Sequence, residues 1–214
     1  MTAPRWLLAA ECIGLFVVVP TLLAQYPFHR PTLYSALGMT CAYVFVVLSR
    51  DSAFSWRSLW LGDGWPPKQR QRAAMRFLLA TALSLLLLAV LAPHNLFDFP
   101  LQSPGIWALV MIMYPLISVL PQEFVYRSFF FRRYAALFPA RWTMVAANAA
   151  AFSYMHIVLQ NIVAPLLCLI AGLIIAYGYT QHRSLQYAAL EHAAYGCMIF
   201  TVGLGWYFFH GLQG

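Results

Sequence analysis

A glutamate and an arginine stand four residues apart beside one of the most apolar runs of the chain. Glu123 and Arg127 lie in PQEFVYR (121–127), directly after GIWALVMIMYPLISVL (105–120). Residues at i and i+4 share one face of an α-helix, so these two side chains can pair. A charge inside lipid is costly without a partner or a polar cavity, and such residues commonly belong to functional sites. This segment is therefore the first candidate for a site.

Two histidines lie in other apolar segments. The first belongs to a polar and aromatic stripe with a four-residue period on an otherwise apolar segment, which consists of Asn148, Phe152, His156 and Gln160. The second, His192, follows Glu191 directly. At ~1.5 Å per residue, Glu123 and His192 each lie about 13 Å from the basic residues that mark the nearest membrane interface. We expect them to meet His156 if their helices pack side by side.

Such a group of side chains has defined chemistry. A carboxylate in a low-dielectric pocket can act as a general base near neutral pH. A histidine can help to activate a water molecule or donate a proton to a developing oxyanion. Glu123, His156 and His192 therefore suffice for peptide-bond hydrolysis, with Arg127 holding the carboxylate. The same three residues could instead hold a divalent metal ion.

Composition identifies the elements that must position these residues. Of the 214 residues, 62% are hydrophobic and only 9% are charged, whereas soluble domains have about 25% charged residues. The apolar runs are long and continuous, which predicts membrane-spanning helices. The net charge of +7 does not indicate nucleic-acid binding, because the basic residues fall in short loops between apolar runs. The sequence thus predicts one all-α, polytopic membrane domain over residues 1–214.

About seven transmembrane helices are expected. Their approximate ranges are 6–26, 32–48, 77–91, 105–134, 142–161, 163–179 and 185–209, and residues 27–31 form a short link between the first two. With the N-terminus in the cytoplasm, 11 of the 13 Lys and Arg residues lie on the cytoplasmic side, Arg30 lies outside and Arg127 lies within the membrane. This bias favours that orientation.

Three motifs together resemble those of a known family. QEFVYR (122–127) resembles the EExxxR motif of the CPBP family, also called the Abi or CAAX-protease family. FSYMH (152–156) matches its FxxxH motif, and His192 stands where its HxxxN or HxxxD motif begins. The motifs occur in the family's order, and the resemblance covers a catalytic core of about 105–210. It implies an intramembrane glutamic protease, with His156 activating water, His192 in the oxyanion site, and Glu123 and Arg127 as the second Glu and the Arg of the first motif.

The chain departs from the family pattern twice. Gln122 stands at the first Glu of the motif, and a neutral amide cannot serve as a base. Gly196 stands at the Asn of the third motif, so that oxyanion donor is missing. Two hypotheses restore a base: Glu123 turns to the pocket, or Glu191 supplies the carboxylate while the Gln122 amide donates to the oxyanion.

The resemblance implies an endopeptidase that hydrolyses a membrane-associated peptide or protein with a Glu/His-activated water and without an obligatory cofactor. The small size favours the cytoplasmic membrane of a bacterium. One alternative is an inactive family member that acts as a membrane scaffold or immunity factor. Another is a transporter that uses Glu11, Glu123 and Glu191 as a proton relay, although no repeated pair of broken helices supports it. Substrate and oligomeric state do not follow from the sequence.

Overall fold

The computed structural model describes residues 3–25, 30–62 and 64–209. These residues form ten helices and no strands. The helices are α1 (Arg5–Gln25), α2 (Arg30–Ser49), α3 (Trp56–Leu61), α4 (Pro67–Leu91), α5 (Asp98–Gln102), α6 (Pro104–Arg133), α7 (Arg141–Met155), α8 (Val163–His182), α9 (Leu185–Val202) and α10 (Trp206–Phe209). The predicted all-α polytopic bundle is confirmed.

Among the described residues, six helices are long and apolar enough to cross a membrane: α1, α2, α4, α6, α8, and α7 with the tight turn that follows it. They correspond to the first six predicted spans. Most of the predicted link at 27–31 lies outside the described residues. Exposed apolar side chains such as Leu86, Val90 and Leu109 cover α4 and α6, as expected for surfaces that face lipid rather than water.

The last predicted span is interrupted. A single helix was expected over 185–209, but α9 ends at Val202 because Gly203 adopts a φ of +121°, which side-chain-bearing residues rarely adopt. A Cβ at Gly203 would lie 2.0 Å from the backbone oxygen of Asn95, so the chain approaches the α4–α5 connection closely here. The helix α9 packs against α4, α6 and α8 and buries Glu191 and His192.

Prolines and wide turns shape α6 around its polar segment. Pro115 has no N–H to donate within a helix, and a wider π-type turn runs from Pro115 to Val119. A second π-type turn covers Phe124–Phe129, directly after Glu123. Turns of this kind occur frequently at functional sites. The predicted stripe on α7 ends at His156, because the helix ends at Met155 and Gln160 adopts a left-handed conformation with a φ of +56°.

Candidate active site

A cavity of about 450 Å³ lies inside the bundle. Its walls are mainly apolar and come from α1, α2, α4, α6, α7, α8 and α9. Polar atoms reach it from α6, α9 and the end of α7, on residues that include Tyr114, Ser118, Gln122, His156 and His192. A mostly apolar cavity with a few convergent polar groups is typical of a ligand site.

Glu123 lies behind this cavity and does not line it. Its side chain is fully buried, and its two oxygens contact different partners. Oε2 lies 3.2 Å from Nε of Arg127, which confirms the predicted ion pair. Oε1 lies 2.9 Å from Nδ1 of His192, so α6 and α9 are joined at the position of the first and third motifs.

Arg127 is held from several sides. Its Nη1 donates a 2.6 Å hydrogen bond to Oδ1 of Asn148, whose Nδ2 donates to the backbone oxygen of Tyr126. The guanidinium carbon lies 5.1 Å from the centre of the Phe152 ring. A buried charge needs both a counter-charge and hydrogen bonds. Glu123 and Asn148 supply part of this for the fully buried Arg127, whose Nε and Nη2 have no hydrogen-bond partner among the described residues.

His192 connects the buried carboxylate to the cavity. The carboxylate at Nδ1 favours a proton on that nitrogen, as in the carboxylate–histidine pairs that fix a tautomer in other enzymes. Its other nitrogen, Nε2, lies 3.1 Å from the hydroxyl of Tyr114. Glu123 therefore sets the orientation of His192 rather than facing the cavity itself.

His156 lines the same cavity with its tautomer fixed differently. It follows the last residue of α7, and its Nδ1 lies 2.8 Å from the backbone oxygen of Phe152. A carbonyl only accepts, so Nδ1 carries the proton and Nε2 of the neutral ring keeps a lone pair. Within the described part of the chain, no hydrogen-bond partner meets Nε2. The Phe152 ring packs against both imidazoles, with centroids 4.9 Å from His156 and 5.3 Å from His192.

Gln122 does reach the cavity. Its Nε2 donates a 2.7 Å hydrogen bond to Oγ of Ser118, one turn earlier on α6. The amide oxygen and the second N–H of the Gln122 amide therefore remain for a ligand. In the second hypothesis Gln122 was expected to donate to the oxyanion, and this second N–H is the one that could do so.

Glu191 lies apart from this group. Its Oε1 accepts a 2.7 Å ionic hydrogen bond from Nη2 of Arg76 on α4, and Glu191 does not line the cavity. A third acid, the partly buried Glu11, forms a two-pronged pair with Arg133 at 2.7 and 2.9 Å. Neither acid is placed to act on a cavity ligand, so this arrangement supports neither the Glu191 hypothesis nor a three-carboxylate relay.

Tyr114 is the residue that sequence reasoning missed. It lies within the strongly apolar run 105–120, where an aromatic residue is typical of packing. Two signals could have identified it: the residue after it is a helix-interior proline, and the third motif carries Gly196 where a polar side chain was expected. The structure brings these together, since the Tyr114 ring occupies the space beside Gly196.

The metal alternative does not fit this donor set. The described residues contain no group of three or more His, Cys, Asp or Glu side chains that could hold a metal ion. Glu123 is engaged by Arg127 and His192, and the free nitrogen of His192 faces a phenol. Protein ligands of zinc converge on one point instead, so no step is assigned to a metal.

Comparison with known proteins agrees with the motif analysis. A family model described as Type II CAAX prenyl endopeptidase Rce1-like matches residues 103–198. The matched segment contains Gln122, Glu123, His156, His192 and Gly196. No curated protein and no solved structure gives a significant match. At the level of the family, the match supports a CPBP-type endopeptidase. With its apolar spanning helices, the chain is an integral membrane protein, and its residues 103–198 match the Rce1-like family model.

Proposed function

We propose that this protein is an intramembrane endopeptidase in which His156 is the general base and the His192–Tyr114 pair faces the scissile carbonyl. One observation carries the proposal: the available Nε2 of His156 and the His192–Tyr114 pair line one cavity within the bundle. The two imidazoles have different hydrogen-bond partners, so we assign them different roles. His156 has a lone pair that can take a proton, whereas His192 is bound to both a carboxylate and a phenol.

The reaction needs one water molecule and a peptide bond. A water held between Nε2 of His156 and the amide oxygen of Gln122 attacks the carbonyl carbon and loses a proton to His156. The new C–O bond forms while the carbonyl π electrons move to oxygen, which becomes an oxyanion near His192. When the intermediate collapses, the C–N bond breaks and His156 returns its proton to the leaving nitrogen. The products are a carboxylate and an amine, with the carboxyl proton released to solvent.

Glu123 and Arg127 position the site in this mechanism. Glu123 holds the ring of His192 through Nδ1, and Arg127 balances the charge of the fully buried carboxylate. A positioned acceptor of this kind fixes the ring so that Nε2 faces the Tyr114 hydroxyl. Gln122 has no basic group, so His156 acts without the carboxylate that the family motif would provide.

The substrate is a membrane-associated peptide or protein segment. The apolar cavity walls and the exposed apolar surfaces of α4 and α6 suit a chain that enters from the bilayer. The matching family model is described as a CAAX prenyl endopeptidase, which makes a farnesylated peptide a suitable first probe. We place the protein in the cytoplasmic membrane of a bacterium and assign no nucleic-acid partner.

A second candidate function is that of a non-catalytic, peptide-binding scaffold or immunity factor. It is favoured by Gln122 at the first acidic position of the motif and by the placement of Glu123 and Glu191 away from the cavity. The same cavity would then bind a peptide without cutting it.

The two functions are separated by incubating the reconstituted protein with anchored peptides. Liposomes would carry a peptide library with randomised residues next to either a farnesyl or a transmembrane-helix anchor. The endopeptidase proposal expects new peptide termini in mass spectra, formed by wild-type protein and absent from protein-free liposomes. Retention of peptides on the protein without any new terminus would contradict the proposal and support the scaffold.

A further inference from the structure

We propose that Tyr114 is the direct hydrogen-bond donor to the oxyanion, and that Gly196 makes the space in which its hydroxyl stands. This inference rests on the proposed endopeptidase function and assigns one residue of its site. Tyr114 then supplies the donor that is missing at position 196.

The side chain of Tyr114 fills the space beside Gly196, and its atoms are the nearest ones to that position. A Cβ built on Gly196 would lie 2.2 Å from Cε1, 2.3 Å from the hydroxyl oxygen and 2.5 Å from Cζ of Tyr114. Any side chain at 196 would therefore overlap the phenol. The hydroxyl lies where the first carbon of a residue at 196 would begin, four residues and one helical turn after His192.

The tyrosine is held on both sides along α9. Residues 192, 196 and 200 share one face of the helix. The ring of Tyr114 contacts His192 on one side and packs edge-on against Phe200 on the other, with centroids 5.3 Å apart. Further along the same interface, Nε1 of Trp107 donates to Oγ1 of Thr201 at 3.1 Å. The hydroxyl is thus fixed by packing between α6 and α9, as a catalytic donor must be.

The protonation of His192 determines where the phenolic proton points. With a proton on Nδ1 alone, Nε2 accepts from the Tyr114 hydroxyl, and no proton is directed into the cavity. With both nitrogens protonated, Nε2–H donates to the phenol oxygen, and the phenolic O–H is free to donate to a third atom. Glu123, 2.9 Å from Nδ1, holds the imidazole so that Nε2 faces the Tyr114 hydroxyl in both forms. His192 therefore has two roles: it faces the oxyanion, and it directs the phenolic proton of Tyr114.

The first test removes only the hydroxyl. Tyr114→Phe in proteoliposomes is expected to lower kcat by about 10²-fold or more, with KM changed by less than about threefold, because an oxyanion donor acts in the transition state. Tyr154→Phe is the matched control, since its hydroxyl contacts Thr21 and it does not line the cavity. A Tyr114→Phe protein with the kcat of wild type would overturn the assignment while leaving the endopeptidase function intact.

The second test restores a donor by a different route. Tyr114→Ala opens the space beside Gly196, and Gly196→Asn then places an amide one turn from His192. We expect the kcat of Tyr114→Ala/Gly196→Asn to be at least about tenfold higher than that of Tyr114→Ala alone. Equal rates for the single and the double variant, with both proteins folded, would count against an oxyanion donor at this place.

A third measurement does not depend on turnover. A phosphinate analogue of the best-bound library peptide carries a tetrahedral anion at the scissile bond and resembles the transition state. Wild type should bind it at least about tenfold more tightly than Tyr114→Phe does, while both bind the parent peptide equally. If wild type cuts no peptide but shows this difference, the endopeptidase function fails and the anion-donor role of Tyr114 stands. Equal phosphinate affinities would overturn that role.

Discussion

The buried Glu123–Arg127 pair makes a quantitative prediction about stability. Glu123→Gln keeps the size of the side chain and removes its charge, which leaves the fully buried guanidinium of Arg127 with Asn148 as its remaining hydrogen-bond partner. Breaking a buried ion pair on one side costs about 3–5 kcal/mol. For a chain of 150–250 residues, 1 kcal/mol shifts Tm by about 2–4 °C. We therefore expect Tm to fall by roughly 6–12 °C at the lower end of this cost.

The assay can use the protein's own thiols. The described cysteines are free and Cys168 is buried, so a dye that fluoresces on reaction with thiols reports unfolding in detergent. Glu191→Gln is the matched control, because its partner Arg76 has a side chain that is 36% exposed and can rehydrate. The fall in Tm caused by Glu191→Gln should be less than half of the fall caused by Glu123→Gln. Removing both charges in Glu123→Gln/Arg127→Met should recover part of the loss. If Glu123→Gln has the Tm of wild type, or if the Tm of the double variant is no higher than that of Glu123→Gln, the assignment of this pair as a buried, stabilising ion pair is refuted.

Three glycine-to-alanine substitutions should change stability according to how closely each glycine is packed. Gly196→Ala places a methyl group against the Tyr114 ring and should destabilise the protein by about 1–3 kcal/mol, measured with the same thiol dye. Gly62→Ala should cost a similar amount, about 1–3 kcal/mol, because its φ is +57° and its Cβ would lie 2.1 Å from the backbone oxygen of His182. Gly38→Ala meets nothing within 4 Å in the middle of α2 and should stabilise by about 0.5–1 kcal/mol. A destabilised Gly38→Ala, or a neutral change at either of the other two, would show that these contacts are wrongly placed.

Much of the fold follows from the sequence because lipid imposes a simple rule. Backbone groups in a bilayer must be paired within a helix, so each long apolar run predicted one span. The i,i+4 spacing of Glu123 and Arg127 likewise predicted their contact. The end of the last span was predicted less well, since Gly203 stops α9 through a tertiary contact with Asn95, and no local pattern signals that contact.

The two histidines of the candidate site were predictable from the sequence, but the side chains that they contact were not. Motif spacing identified His156 and His192, and the structure places both on one cavity. Pairing depends on the rotation of each helix about its axis, which sequence periodicity leaves open. Glu191 therefore pairs with Arg76, although Arg183 is nearer in sequence. Tyr114 was missed for a similar reason: its hydroxyl gains a role only because α6 lies against the bare backbone of Gly196.

The central claim is that His156 accepts a proton from water in a peptide-bond hydrolysis. The most direct measurement is the single-turnover rate of cleavage of an anchored peptide by wild type and by His156→Gln in proteoliposomes, with products identified by mass spectrometry. General-base catalysis contributes about 10²–10⁴-fold, so the variant should be slower by at least about 10²-fold while binding the peptide as wild type does. Cleavage by His156→Gln at the wild-type rate would contradict the account.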